Sequence, residues 1–113
     1  MSRIYKILPR VAWAAAHDAG SFEGSPLDVS DGFIHFSTAV QAQETARRHF
    51  AGQSDLVVLE VEADDLGEAL RWEPSRGGDL FPHLYGALGA GQVRYVTEAP
   101  LDSDGVPALG ALR

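Results

Sequence analysis

Gly32-Phe33-Ile34-His35-Phe36-Ser37-Thr38 reads as a short strand that runs directly into a helix cap. Aromatic and β-branched residues suit a half-buried pleated surface, and alternation puts His35 and Ser37 on the face opposite Ile34 and Phe36. Thr38 and Gln41 have the spacing of a capping box, so a helix follows to about Ala51 with Ala39, Ala42, Ala46 and Phe50 on one stripe. Upstream, Ile4 to Leu8 is a strand. Pro9 opens a helix that passes Trp13 and stops at Gly20, and Ser21 to Gly32 reads as a turn-rich loop. Downstream, Asp55 to Ala63 is the clearest strand: Leu56 to Leu59 is apolar on both faces, and Glu60 and Glu62 then turn one face polar. Leu66 to Trp72 gives a helical turn and an extended piece, Glu73 to Gly78 a loop, and Phe81 to Tyr85 and Val93 to Glu98 further strands. Strands outnumber helices and the helices come early, so the fold class is α+β. No glycine-rich turn follows the first strand, which argues against a Rossmann unit.

The chain has 113 residues, which suits a single domain over 1–113 with a flexible tail at about 103–113. A net charge of −7 disfavours general nucleic-acid binding, because such a surface repels phosphate backbones. The absence of cysteine excludes a disulfide framework, a thiolate metal site and a cysteine nucleophile. Val11 to Ala16 imitates part of a secretion signal, but Pro9 and Arg10 interrupt it and the apolar run is too short. No stretch is long enough for a membrane helix, and the expected compartment is the cytoplasm.

Two histidine segments carry the chemistry. His35 and Ser37 project from one face just ahead of a helix start, a setting that can hold a phosphate or a ribose. Asp79-Leu80-Phe81-Pro82-His83-Leu84-Tyr85-Gly86 repeats the format: His83 and Tyr85 share a face, and Tyr85 offers a ring to stack on. The bland alternative is a pair of core histidines beside a hydroxyl cap. Between the two segments, Arg71 and Arg76 bracket Trp72, and guanidinium forks suit an anionic ligand as well as plain surface exposure. Glu60, Glu62 and Glu73 read as solvated carboxylates. His17, His35, His49 and His83 lack the close spacing of zinc ligands, so no metal is expected.

Ile4-Tyr5-Lys6-Ile7, Gly32 to Ser37, Leu70-Arg71-Trp72-Glu73 and Phe81 to Gly86 together resemble domain-of-unknown-function family 952 over nearly the whole chain. That resemblance implies an ADP-ribosyltransferase-like fold, in which two small β-sheets pack at an angle and a cleft between them holds NAD. It implies a nucleotide or dinucleotide as the small-molecule partner and ADP-ribosyl or phosphoribosyl-type transfer as the reaction. His35, His83 and Tyr85 are then the catalytic candidates, and Lys6, Ser37, Arg71 and Arg76 the cofactor-binding ones. Lys6 or Arg76 would hold pyrophosphate, Tyr85 would stack on a base or nicotinamide, and His35 would bind ribose hydroxyls. No glutamate of this chain matches the third position of the wider group's pattern. Binding without transfer, and a non-catalytic interaction or regulatory module with structural histidines, therefore stay open alongside it.

Overall fold

Strand β1 (Arg3–Pro9) sends Ile4, Lys6 and Leu8 to one side and Tyr5 and Ile7 to the other, all buried. A strand covered on both faces belongs inside a sheet. β1 pairs antiparallel with β4 (Ser37–Thr38) on one side and β5 (Leu56–Glu62) on the other. β9 (Val93–Ala99) completes the order β4-β1-β5-β9. The computed structural model describes residues 2–112.

One core fills each side of this sheet. Tyr5, Ile7, Leu56 and Val58 pack against Ala42 and Ala46 of α3 (Ala39–His49), whose lack of bulk lets the helix lie close. The expected capping box is present: Thr38 Oγ1 accepts from Gln41 N, and Gln41 Oε1 accepts from Thr38 N. The segment read as a flexible tail lies along α3 in its described part. The Gln43 side chain donates to Pro107 O and accepts from Leu109 N, and Leu109 is buried in the same core. On the other side, Ile4, Leu8, Val57, Leu59 and Val61 meet Ala16 of α1 (Arg10–Ala19). Gly20 ends α1 at φ 92°, and its N–H returns to Ala16 O.

A second sheet, β3-β7-β6, joins that core from β3 (Ile34–His35), β7 (Leu80–Leu84) and β6 (Leu70–Pro74). A two-stranded ribbon of β2 (Ser21–Phe22) and β8 (Leu88–Gly89) makes three sheets where two were expected. The stretch from Gly32 to Ser37 does not form one strand. β3 pairs with β7 while β4 pairs with β1, and the chain changes sheets at Phe36, whose N–H donates to Pro82 O and whose ring is buried.

The supposed loop from Ser21 to Gly32 contains β2 and a helix, α2 (Pro26–Asp31). Ser25 caps it, Pro26 takes the first turn and Asp28 closes the capping box, so a helix start was written there. Glu60 and Glu62 are also not solvated. Both are buried, with Ser2 N–H on Glu62 and Arg3 beside Glu60, because the beginning of the chain lies over them. Among the described residues no helix is long and apolar enough to cross a membrane.

Candidate functional site

Register across the second sheet decides which side chains meet. His35 pairs with His83 and His83 with Arg71, while Ile34 pairs with Leu84 and Leu84 with Leu70. Paired antiparallel residues share a face, so Ile34, Leu84 and Leu70 go to the core, and His35, His83 and Arg71 form a row on the opposite face. The two imidazoles meet with centroids 5.6 Å apart and planes at 68°. Phe33 joins them: its ring stacks on His83 at 4.1 Å and touches His35 at 4.6 Å and Tyr85 at 5.2 Å. His83 is therefore roofed by a phenyl ring and only 5% exposed, while His35 and Tyr85 reach solvent.

Carboxylates brace each ring. Glu73 Oε1 lies 2.8 Å from His83 Nδ1 and accepts from the Tyr85 hydroxyl at 2.8 Å. Those two hydrogen bonds, from His83 and then Tyr85, hold the Glu73 carboxyl below the usual carboxylate range. The same bond pushes the Tyr85 phenol up. Arg71 stands over the Tyr85 ring at 4.6 Å.

Asp28 is the hub on the other side. Its Oδ1 lies 2.5 Å from His35 Nδ1 and accepts from His35 N–H at 3.1 Å; its Oδ2 accepts from Ser25 N–H at 2.8 Å. Lys6 Nζ reaches both oxygens, at 3.1 and 2.9 Å. Burial raises the Asp28 carboxyl, but the His35 hydrogen bond and the Lys6 charge outweigh it and hold the group far below the usual range. Burial lowers the Lys6 ammonium, with Asp28 opposing. His35 Nε2 meets a second carboxylate, Asp31 Oδ2, at 2.9 Å.

Lys6 thus does not stand free for an anion, as a pyrophosphate holder would. Alternation along β1 turns it toward the second sheet, where it fixes Asp28 and through it His35. Ser37 and Arg76 lie in a different group. Thr45 Oγ1 donates to Gln41 O, contacts Ser37 Oγ at 2.9 Å and accepts from Arg76 Nη1 at 3.3 Å, and the guanidinium covers Phe81. Among the described residues no three histidine or carboxylate side chains are arranged so that they could hold a metal ion together. His17 and His49 sit exposed on helices.

A cleft of about 300 Å³ adjoins the cluster, walled by Asp28, Val29, Phe33, Ile34, Leu84 and Gly86. The sequence reading passed over Asp28, Asp31 and Phe33, and took Glu73 as solvated. Glu73 was within reach, because Arg71 and Glu73 alternate onto one face of β6. Gly24 tightens this corner: at φ 117°, a Cβ there would sit 2.9 Å from Asp28 Cβ. Gly24→Ala should cost roughly 1–3 kcal/mol in chemical denaturation, through backbone strain and displacement of Asp28. A cost below about 0.5 kcal/mol, the range of an ordinary surface change, would show that the corner yields freely.

Fold and site together define a small α+β domain whose aromatic and histidine cluster is braced by carboxylates beside a cleft. The chain belongs to the family described as protein of unknown function DUF952, whose model matches residues 7–96. It is similar to protein CC0527 from Caulobacter crescentus. The crystal structure of that protein is 56% identical over 96% of each chain, with a TM-score of 0.94. Its solution NMR structure is 56% identical over 97% of this chain and 95% of that one, with a TM-score of 0.87. No curated protein matches the chain.

Proposed function

We propose that the domain has an ADP-ribosyltransferase-like architecture and binds a nucleotide or NAD-like dinucleotide at the cleft beside Phe33. The supporting observation is the aromatic platform itself: Phe33 contacts both Tyr85 and His35, and Phe33 also lines the cleft of about 300 Å³. Base stacking on such rings needs no particular base. Tyr85 stacks on the base or nicotinamide, and His35 with Asp31 meets ribose hydroxyls. Arg71 takes the nearer phosphate. Arg76, with Ser37 and Thr45 behind it, serves a second anionic group, since Phe81 beneath it lies on the same sheet face as His83. Lys6 acts through Asp28 and is a positioning residue.

With NAD as substrate, transfer breaks the bond between the ribose carbon and nicotinamide, which leaves with the electron pair, while an acceptor nucleophile bonds to that carbon. Glu73, fixed by His83 and Tyr85, is the carboxylate available to steady the developing positive charge. One observation favours the competing reading of a non-catalytic module: His83 is sealed under Phe33 and tied to Glu73, as a structural histidine would be.

A thermal-shift series with NAD, ADP-ribose, nucleoside phosphates and divalent cations separates the two. A ligand at about 100 times its Kd adds roughly 2.7 kcal/mol, which raises the midpoint of a domain this size by about 10 °C. At least one nucleotide should do so. If none of them moves the midpoint, the module reading stands and the nucleotide reading is overturned.

A further inference from the structure

α2 is fastened to the molecule in an unusual way. Its one buried residue is a carboxylate, Asp28, while Leu27 and Val29 are 56% and 67% exposed. Apolar burial, which holds most helices in place, is nearly absent here. Polar contacts to two side chains take its place: Lys6 and His35 on Asp28, and His35 on Asp31. The helix also walls the cleft through Asp28 and Val29.

His35 spans α2 with both ring nitrogens, Nδ1 toward Asp28 and Nε2 toward Asp31. An ionised carboxylate only accepts hydrogen bonds, so both contacts are made when the ring carries both protons. A neutral imidazole has a single N–H and must give up one of them. Asp28 keeps its contact, because Lys6, Ser25 N–H and His35 N–H also hold it. Among the described residues Asp31 has only the ring, and a lone pair on Nε2 would face its carboxylate.

We propose that α2 is a lid on the cleft, latched by the doubly protonated His35 and released at its Asp31 end when that ring loses a proton. The charged and titratable groups facing His35 are Asp28 and Asp31 from α2, Lys6 from β1 through Asp28, and His83 from β7, with Glu73 of β6 behind it. Phe33 covers the remaining side of the ring. Gly32, at φ 89°, caps the helix, and the N–H groups of Gly32 and Phe33 return to Asp28 O, so release at Asp31 opens this last turn while Asp28 stays in place. The lid bears on the nucleotide reading only as regulation of the same cleft, and its motion can be measured with no ligand present.

The test is ¹⁵N relaxation on the full chain at two pH values, one at which the ¹⁵N shifts of the His35 ring show both nitrogens protonated and one at which they show a single N–H. At the lower pH, amides of residues 29–32 should match the core, with order parameters near ~0.85. At the higher pH they should fall below ~0.6 or show millisecond exchange. Asp31→Asn removes the carboxylate at an exposed position, and its amide can face either form of the ring as acceptor or donor. In that variant the pH response of residues 29–32 should vanish. The latch is overturned if the wild-type segment behaves identically at both pH values, or if Asp31→Asn responds to pH as the wild type does. A failed thermal-shift series leaves this result untouched, and the reverse also holds.

Discussion

Asp28→Asn should destabilise the protein by about 3–5 kcal/mol, the usual cost of leaving one member of a buried ion pair alone. For a domain of this length that lowers the melting midpoint by roughly 10–20 °C. The carboxylate is 2% exposed and neutralises Lys6, which is itself 6% exposed on the inner face of β1. An amide in its place leaves the ammonium without a counter-charge and cannot serve all the donors now converging from Lys6, His35 and Ser25. Removing the orphan as well should repair much of the damage, so Lys6→Met/Asp28→Asn should melt above Asp28→Asn. The acid side gives a second readout. The Asp28 carboxyl lies far below its ordinary value of 3.8 in the folded protein, so its contribution is complete above that value and is lost as pH falls toward the folded one. The stability gap between wild type and Asp28→Asn should therefore narrow from about pH 5 downward. A gap that stays constant to about pH 2, or a loss under about 1 kcal/mol at neutral pH, would remove Asp28 from the centre of the fold.

The place of Asp28 also shows what the linear sequence could and could not convey. β1 and β5 were legible because largely apolar runs of strand length admit few other readings, β9 from its β-branched and aromatic residues, and α3 from its Thr38–Gln41 box. The same box logic applied to Ser25-Pro26-Leu27-Asp28, yet a six-residue helix with exposed Leu27 and Val29 has no apolar stripe to announce it. The meeting of His35 with His83 was an expectation from two similar motifs. Nothing in their spacing fixed it, because pairing between β3 and β7 is long-range. The switch of sheets at Phe36 was likewise invisible, since five strand-forming residues do not state how many partners they have. The partner of Lys6 was hidden for a related reason: alternation gives a side chain its face but not the carboxylate waiting there. Glu60 and Glu62 were read as solvated on the same footing, and the residues that cover them come from the other end of β1.

Phe33→Ala carries the other large expected effect, and under the proposed nucleotide reading it falls on ligand rather than on fold. Phe33 is only partly buried, so its loss should cost the free protein about 1–2 kcal/mol, less than a core phenylalanine would. Its ring, however, touches His35, His83 and Tyr85 at once and forms a wall of the cleft. Base–aromatic stacking is worth about 1–3 kcal/mol per base, so nucleotide affinity should fall by roughly 10- to 100-fold. Phe33→Leu, which keeps apolar bulk but no π-face, should restore most of the stability while recovering little of the binding. That split separates a stacking platform from a hydrophobic plug. If both variants bind nucleotide as the wild type does, the base lies elsewhere and Phe33 serves only to roof His83. Should Phe33→Leu recover binding along with stability, volume rather than stacking governs the cleft. Under the stacking account Tyr85→Leu should weaken binding as well, and it should free Glu73 to bond His83 alone. Isothermal titration of each variant with the nucleotide that gives the largest thermal shift measures these differences directly, at concentrations where the destabilised chains are still folded.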